Sequence, residues 1–315
     1  MKIISQGRYQ PIKSITSLLP GPLVTLALLL ITTLPLELRA NESTCPNSPL
    51  SPGKHDGSTI YDGRERSYNL VVPSAKKSPL PLVINMHGYT SSADDLESIS
   101  GMSSLANAEG FVVAYPNSDL QSWNGGDCCG EAAAEGTDDI GYLKILVRHI
   151  KERVCIDSNR IYLAGYSNGG FMAYRAACQA PGFFAAVGSV AGVLGIEKRE
   201  CQPTIATPMI HIHGTWDRVV RWDGGASSAG VFKPVEDGFN HLLTVNQCRP
   251  ESEPYYERGN TMCLAYPGCG GIAEKKQVLC TVYRGLHCWP GSLGCNASIN
   301  ASAALWDFFK NYELD

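Results

Sequence analysis

The sequence lacks three features that would point to other classes of protein. No linker-like, repeated or low-complexity stretch divides it, no CxxC pair occurs among its 12 cysteines, and basic residues are not in excess. The first absence favours one large domain, or two small ones, over a longer series of domains. The second disfavours a zinc site, since the histidines do not alternate with cysteines at ligand spacing.

The sequence also has no uninterrupted apolar run of about 20 residues, the length that spans a bilayer. Residues 1–40 carry Lys2, Arg8 and Lys13 near their start. The apolar stretch from Leu23 to Ile31 follows, and the segment ends at Ala40. This order predicts a secretory signal peptide that is cleaved near Ala40, with an uncleaved membrane anchor as the alternative. We therefore expect an extracellular protein with no membrane span after cleavage.

The chain beyond residue 40 has the composition of an acidic secreted protein. Its 22 Lys and Arg residues stand against 29 Asp and Glu residues, a formal charge of −7, which disfavours nucleic acid or an anionic membrane as a partner. All 12 cysteines lie here and predict up to six disulfide bonds, with the pairing left open. Asn41, Asn296 and Asn300 are acceptor sites for N-linked glycans if the host is eukaryotic.

Apolar runs of strand length alternate with segments whose apolar residues recur three and four positions apart. The predicted strands are 68–72, 80–86, 111–115, 161–165, 184–190, 209–213 and 278–283, and the predicted helices are 94–108, 138–154, 168–180, 235–245 and 301–312. This alternation predicts an α/β fold with a mostly parallel central sheet flanked by helices. We assign residues 41–66 to an N-terminal extension and residues 67–315 to a single catalytic domain.

Ser167 lies in the sequence Gly165-Tyr166-Ser167-Asn168-Gly169, between a predicted strand and a predicted helix. This GxSxG pattern is typical of a nucleophile elbow, a strained turn that exposes a serine hydroxyl at the edge of a sheet. Side chains at the two glycines would collide with the neighbouring strand and helix. An ordinary glycine-rich turn has the same letters, so the base and the acid must be found elsewhere in the chain.

Two later residues complete an ordered set of Ser, acid and His. Asp217 follows a late predicted strand, and His287 follows the last one. The chain order Ser167, Asp217, His287 is that of α/β-hydrolases, in which the acid orients the histidine and the histidine activates the serine. Asp223 is the alternative acid, whereas His241 falls within a helical pattern.

Backbone amides are expected to form the oxyanion hole. Residues 85–89 match an HGx turn after an early strand, and the amide of Tyr89, or of Gly88, would act together with the amide of Asn168. His87 is interpreted as a structural residue of this turn rather than as the base.

His211 and His213 lie two residues apart on one predicted strand, and such a pair can bind a metal ion. Other ligands have no obvious source, and the strand leads directly to Asp217. We therefore expect neither a metal ion nor another cofactor.

Six motifs in order along the chain resemble the polyhydroxybutyrate depolymerase/feruloyl esterase family, carbohydrate esterase family 1. They are MHG at 86–88, SWNGGDCCG at 122–130, DDIG at 138–141, GYSNGG at 165–170, HGTWD at 213–217 and HCWPG at 287–291. The resemblance implies an α/β-hydrolase fold and a secreted serine esterase with Ser167, Asp217 and His287 as its triad.

The sequence departs from this family on both sides of the histidine. Arg284-Gly285-Leu286 replaces the usual glycine-rich stretch, and Cys288 replaces the common Ser or Thr. In a related feruloyl esterase group a disulfide joins the cysteine after the histidine to one before the serine. Tyr166 occupies that second position here, so the partner of Cys288 must lie elsewhere.

Tryptophans and the family resemblance guide the expected substrate. Trp123, Trp216 and Trp289 are expected to bind substrate by stacking on an aromatic acid or a sugar, and residues 250–272 are interpreted as a wall of the substrate site. We expect a carboxylic-ester hydrolase that acts through an acyl-enzyme on feruloyl or acetyl esters of plant polysaccharide. The alternatives are an extracellular polyhydroxybutyrate depolymerase, a serine peptidase of the same fold and an inactive binding protein.

Overall fold

A ten-stranded sheet forms the centre of the structure, a computed structural model that describes residues 45–74 and 78–314. The strands of this sheet are β1 (Gly53–Tyr61), β2 (Arg64–Val72), β3 (Leu80–Met86), β4 (Val112–Pro116), β5 (Ile156–Tyr166), β6 (Ala186–Val190), β7 (Met209–Gly214), β10 (Glu253–Arg258), β11 (Thr261–Pro267) and β12 (Lys276–Val282). A separate hairpin consists of β8 (Gly225–Ser227) and β9 (Gly230–Phe232). The predicted signal peptide and the predicted glycan site at Asn41 lie outside the described residues.

The strand order is β1-β2-β4-β3-β5-β6-β7-β12-β11-β10. The strands from β4 to β12 in this order run parallel to one another. The pairs at both edges are antiparallel. The predicted mostly parallel sheet is therefore confirmed, and its seven predicted strands all lie within it.

Helices cover both faces of the sheet. They are α1 (Ala93–Ser100), α2 (Met102–Glu109), α3 (Glu131–Glu135), α4 (Asp139–Lys151), α5 (Asn168–Gln179), α6 (Val235–Val245) and α7 (Ala301–Phe309). Buried side chains of α4 and α5 belong to one apolar cluster, and those of α1, α2 and α7 belong to another. None of the helices in the described residues is long and apolar enough to cross a bilayer.

Three regions differ from the sequence expectations. The single helix expected at 94–108 is divided at Gly101, whose positive φ of 63° ends α1 in a left-handed conformation that favours glycine. Residues 250–272, for which no strand is predicted, contain β10 and β11, which extend the sheet beyond β12; their role as a wall of the substrate site stays a prediction. Part of the expected N-terminal extension, from Gly53 onward, forms β1 and pairs with β2.

All 12 cysteines are paired in six disulfide bonds, within the expected limit of up to six. The pairs are Cys45–Cys155, Cys128–Cys129, Cys178–Cys201, Cys248–Cys269, Cys263–Cys280 and Cys288–Cys295. Cys288 therefore closes a short loop directly after His287, whereas the bond between Cys263 and Cys280 joins the neighbouring strands β11 and β12.

An ion pair inside the protein joins β2 to α4. Arg66 Nη1 lies 2.7 Å from Asp139 Oδ1, and the two side chains are only 3% and 0% exposed. The other carboxylate oxygen accepts a hydrogen bond of 2.7 Å from the Asn124 amide, and the guanidinium lies 3.5 Å from the centre of the Tyr142 ring. Asp138, rather than Asp139, caps the start of α4 through the Gly141 amide. Asp139 thus connects the sheet to the loop at 122–130.

Replacing Arg66 with Met should lower the free energy of unfolding by about 3–5 kcal/mol, because the Asp139 carboxylate would remain buried without its partner. Urea denaturation followed by circular dichroism measures this loss. Arg64→Met is the matched control, since the half-exposed Arg64 pairs with Asp119 and Glu135 at the surface, where ion pairs contribute at most about 1 kcal/mol. Equal losses in the two variants would contradict the importance of the buried pair.

Candidate active site

Ser167, Asp217 and His287 meet at the carboxyl ends of parallel strands. Ser167 directly follows β5, Asp217 follows β7, and His287 follows β12. His287 Nε2 lies 3.0 Å from Ser167 Oγ, and His287 Nδ1 lies 2.7 Å from Asp217 Oδ2. The three side chains therefore form one hydrogen-bonded series in the order that nucleophilic catalysis requires.

The backbone at Ser167 adopts a strained conformation, with φ 53° and ψ −118°. A Cβ at Gly165 would lie 2.1 Å from the carbonyl oxygen of Gly169, and one at Gly169 would lie 2.3 Å from that of Met86. The expected collisions at both glycines are thus confirmed. Only residues without side chains allow α5 to begin this close to β5 and β3.

Asp217 is buried and surrounded by hydrogen-bond donors. Its Oδ1 accepts hydrogen bonds of 2.8 Å from the amides of Val219 and Val220, while Oδ2 faces His287 and lies 3.4 Å from His213 Nε2. A carboxylate held by so many donors keeps one orientation. Asp223, the alternative acid, is exposed at the wall of a neighbouring cavity.

The Asn168 and Tyr89 amides lie on the two segments that flank Ser167. Asn168 is the first residue of α5, so its amide has no partner within the helix. Its side chain donates to the carbonyl oxygens of Trp123 and Cys128 and accepts from the Trp123 amide, which joins the loop at 122–130 to the helix start. The turn at 85–89 lies against Ser167 as well, since a Cβ at Gly88 would lie 3.3 Å from Ser167 Cβ.

His87 stabilises the turn at 85–89 from inside the protein. Its Nδ1 donates to the Gly88 carbonyl oxygen at 2.7 Å, and its Nε2 accepts from the Ser118 amide at 3.0 Å. Burial lowers its pKa, consistent with this neutral form. Both ring nitrogens are engaged by backbone, as a structural residue requires.

Two of the three tryptophans expected at the substrate site are in the interior. Trp123 is 0% exposed and donates to the His87 carbonyl oxygen, while Trp289 is 1% exposed and donates to Ser302. Neither ring offers surface to a ligand, so the expectation is corrected for both. Trp216, which is 55% exposed, remains available.

A buried series of hydrogen bonds lies behind Asp217, and the sequence alone did not reveal it. Tyr174 OH lies 2.6 Å from His211 Nδ1, His211 Nε2 lies 3.0 Å from His213 Nδ1, and His213 Nε2 lies 2.8 Å from the Val220 carbonyl oxygen. A carbonyl can only accept, so His213 must donate from Nε2. Burial favours the neutral form of both rings, and in that form each ring donates from Nε2 and accepts at Nδ1.

Burial is the main cause that lowers the pKa of His211 and of His213. The alternation His211-Ile212-His213 was the available sequence signal, because it places both rings on one face of β7. In the structure all four ring nitrogens have hydrogen-bond partners.

The strand order and the placement of the Ser, Asp and His side chains are those of the α/β-hydrolase fold. A profile of the family described as "Esterase PHB depolymerase" matches residues 66–223, about half of the chain. The chain belongs to this family.

Two curated relatives show the extent of the likeness in sequence. Feruloyl esterase B of Piromyces equi is 32% identical over 248 residues, which cover 74% of this chain and 42% of that protein. Poly(3-hydroxyalkanoate) depolymerase C of Paucimonas lemoignei is 35% identical over 126 residues, which cover 38% of this chain and 30% of that protein. The chain thus spans less than half the length of either relative.

Among solved structures, the acetyl xylan esterase from Aspergillus awamori superposes with a TM-score of 0.58 at 15% sequence identity. The superposition covers 82% of this chain and 99% of that one. At this level of identity the likeness shows the fold.

The buried histidines should make the protein less stable in acid. Since the folded state holds His211 and His213 neutral, their contribution is complete above about pH 6.5, the pKa of an unfolded histidine, and is lost as the pH falls toward their lowered pKa values. Each unprotonated ring adds up to about 1.4 kcal/mol per pH unit to the slope of the unfolding free energy. Urea denaturation between about pH 5 and 8 measures this slope.

The double variant His211→Leu/Tyr174→Phe removes one titrating ring together with the hydroxyl that it satisfies. The slope of its unfolding free energy against pH should be smaller than that of the unchanged protein by up to about 1.4 kcal/mol per pH unit, the contribution of one proton. His55→Gln, at a partly exposed position on β1, should keep the original slope. An unaltered slope in the double variant would show that His211 does not remain neutral in acid.

Proposed function

We propose that this protein is a serine esterase that hydrolyses feruloyl or acetyl esters of plant polysaccharide through an acyl-enzyme. The observation that carries the proposal is the hydrogen-bonded series of Ser167, His287 and Asp217 at the carboxyl ends of three parallel strands. Feruloyl esterase B, which matches three quarters of the chain, supports an ester of this kind.

The geometry provides each step of acyl transfer. His287 Nε2, 3.0 Å from Ser167 Oγ, accepts the hydroxyl proton as the oxygen attacks the ester carbonyl carbon. Asp217 fixes the ring with Nδ1 protonated and stabilises the imidazolium that forms. The amides of Asn168 and Tyr89 would donate to the negative oxygen of the tetrahedral intermediate.

His287 then donates the proton from Nε2 to the leaving alcohol, and the acyl group stays on Ser167. In the second half of the reaction, His287 accepts a proton from water as the water attacks the acyl carbon, and Ser167 leaves with that proton restored. In these steps the ester, water and the side chains of Ser167, His287 and Asp217 account for every proton transferred and every bond formed or broken.

We further propose that the protein acts outside the cell, with residues 67–315 as the catalytic part. Six disulfide bonds persist in oxidising compartments, and the segment before residue 67 contributes β1 to the same sheet. Asn296 and Asn300 lie in the surface segment that precedes α7, where glycans could be attached.

Hydrolysis of hydroxybutyrate polyester is the second candidate. The 35% identity to a poly(3-hydroxyalkanoate) depolymerase within 126 residues favours it, and exposed apolar side chains at Trp216 and Leu286 lie close in sequence to the Asp and His of the site. Turnover of methyl ferulate and acetylated xylan, with no turnover of hydroxybutyrate oligomers, would support the first candidate. The opposite pattern would support the second.

A fluorophosphonate should modify Ser167 alone among the serines, and mass spectrometry of the digested protein locates the adduct. Ser167→Ala should reduce kcat on p-nitrophenyl acetate by about 10⁴-fold or more, because the acyl group would have no acceptor. Ser98→Ala, on the exposed side of α1, should keep the original rate. Folded protein that shows neither the adduct nor turnover of p-nitrophenyl acetate would contradict the esterase proposal. The alternative of an inactive binding protein would then be favoured.

A further inference from the structure

A cavity of about 480 Å³ is lined by Asp217 but not by Ser167 or His287. Its lining consists of Thr215, Trp216, Asp217, Arg218, Arg221, Trp222, Asp223 and Ala226. Asp217 is shared with the hydrogen-bonded series of Ser167 and His287. The cavity is therefore next to the reaction site, and its volume is within the range of small-molecule sites.

The turn that begins at Asp217 fixes the cavity walls. The amides of Val219 and Val220 bind Asp217 Oδ1, and the Arg221 carbonyl accepts from the Gly224 amide at 2.9 Å. These bonds place Arg218 and Arg221 on the same short segment. These hydrogen bonds hold the acid and at the same time fix the backbone of the cavity wall.

Trp222 forms a firm part of the lining. Its ring packs edge-on against the buried His213 at a centroid distance of 6.0 Å, and its carbonyl accepts from the Val235 amide at 2.9 Å. Trp216, in contrast, leaves more than half of its surface open, with the Arg284 guanidinium 5.4 Å from the ring centre. One aromatic ring is thus anchored, and the other, with a guanidinium near it, keeps exposed surface on which a ligand can stack.

The positive charges at this cavity are unpaired. Arg218 and Arg221, which line the cavity, have no carboxylate within ion-pair distance in residues 45–74 and 78–314, and neither has Arg284, whose guanidinium lies over the Trp216 ring. Apart from Asp217, which already binds His287, the one acid in the lining is Asp223. Arg221 Nη1 donates to the Ala226 carbonyl oxygen at 3.5 Å. The cavity thus has two arginines without a carboxylate partner, in a chain whose net charge beyond residue 40 is negative.

We propose that this cavity binds the carboxylate of a uronic acid residue on the polysaccharide that carries the ester, with a sugar ring stacked on Trp216. This proposal rests on the proposed esterase function and names its substrate class as acidic polysaccharide. Guanidinium groups bind carboxylates through paired hydrogen bonds, which suits Arg218 and Arg221.

The position of the cavity identifies which side of the ester it contacts. His287 donates its proton to the leaving alcohol, so the alcohol lies on the histidine side of Ser167, whereas the carbonyl oxygen points to the amides of Asn168 and Tyr89. Asp217 is on that histidine side. The cavity therefore binds the sugar portion and not the acyl group.

Binding to the Ser167→Ala protein tests the proposal without hydrolysis. Calorimetry at about 20 mM salt compares a xylo-oligosaccharide that carries a glucuronic acid branch with the unbranched neutral one. The acidic sugar should bind about 10-fold more tightly, and about 0.5 M NaCl should abolish most of the difference by screening. Equal affinities at low salt would overturn the proposal.

Substitutions locate the binding site. Arg218→Gln/Arg221→Gln in the same background should bring the acidic sugar to the affinity of the neutral one, while Arg218→Lys/Arg221→Lys should retain part of the preference because the charge remains. Arg148→Gln/Arg258→Gln, a matched pair of exposed arginines on α4 and β10, should retain all of it. A preference that survives the Gln variant at positions 218 and 221 would place the anion elsewhere and overturn the proposal.

Kinetics separate this proposal from the proposed function. The ratio of kcat/KM on acidic and neutral acetylated xylo-oligosaccharides should be about 10 for the unchanged protein and near 1 for the Gln variant at positions 218 and 221. Failure of the unchanged protein to hydrolyse p-nitrophenyl acetate would contradict the esterase, and the calorimetry would still decide the anion site. Hydrolysis of both saccharides with a ratio near 1 would contradict the anion site alone.

Discussion

The carboxylate of Asp217 is the group on which the arrangement of the site depends. A buried negative charge is stable only when donors surround it, and here the Val219 and Val220 amides bind one oxygen while His287 binds the other. Those same bonds form the turn that carries Arg218 and Arg221. Orientation of the histidine and shape of the neighbouring cavity therefore have one physical cause.

A second set of buried polar groups connects the sheet to the start of α5. Arg66 compensates Asp139, Asp139 accepts from the Asn124 amide, and Asn168 binds the backbone of the same loop from the other side. Because these contacts connect β2, α4 and α5 through one loop, the loop at 122–130 is held against the turn at Ser167. Its tryptophan, Trp123, serves this internal packing.

Elements with strong local patterns agreed closely with the sequence expectations. The bounds of β3 and α6 agree to the residue, since a continuous apolar run and a regular helical period are visible in one short window. β10 was missed because an exposed edge strand with many polar residues lacks that signal. β11, which lies between β12 and β10, alternates buried and half-buried side chains over only seven residues. The division of α1 from α2 depends on the left-handed conformation of Gly101.

The sequence by itself determined the alternation of strands and helices, the glycines around Ser167 and the order of Ser, Asp and His, because these depend on neighbouring residues and on chain direction. Tertiary structure decided the cysteine pairs, the burial of Trp123 and Trp289, and the neutral pair His211 and His213. The bond between Cys45 and Cys155, the burial of the two tryptophans and the contact of Tyr174 with His211 depend on segments far apart in the chain. A side chain has the same letter whether it packs inside or meets solvent, and only the packing of distant elements distinguishes the two.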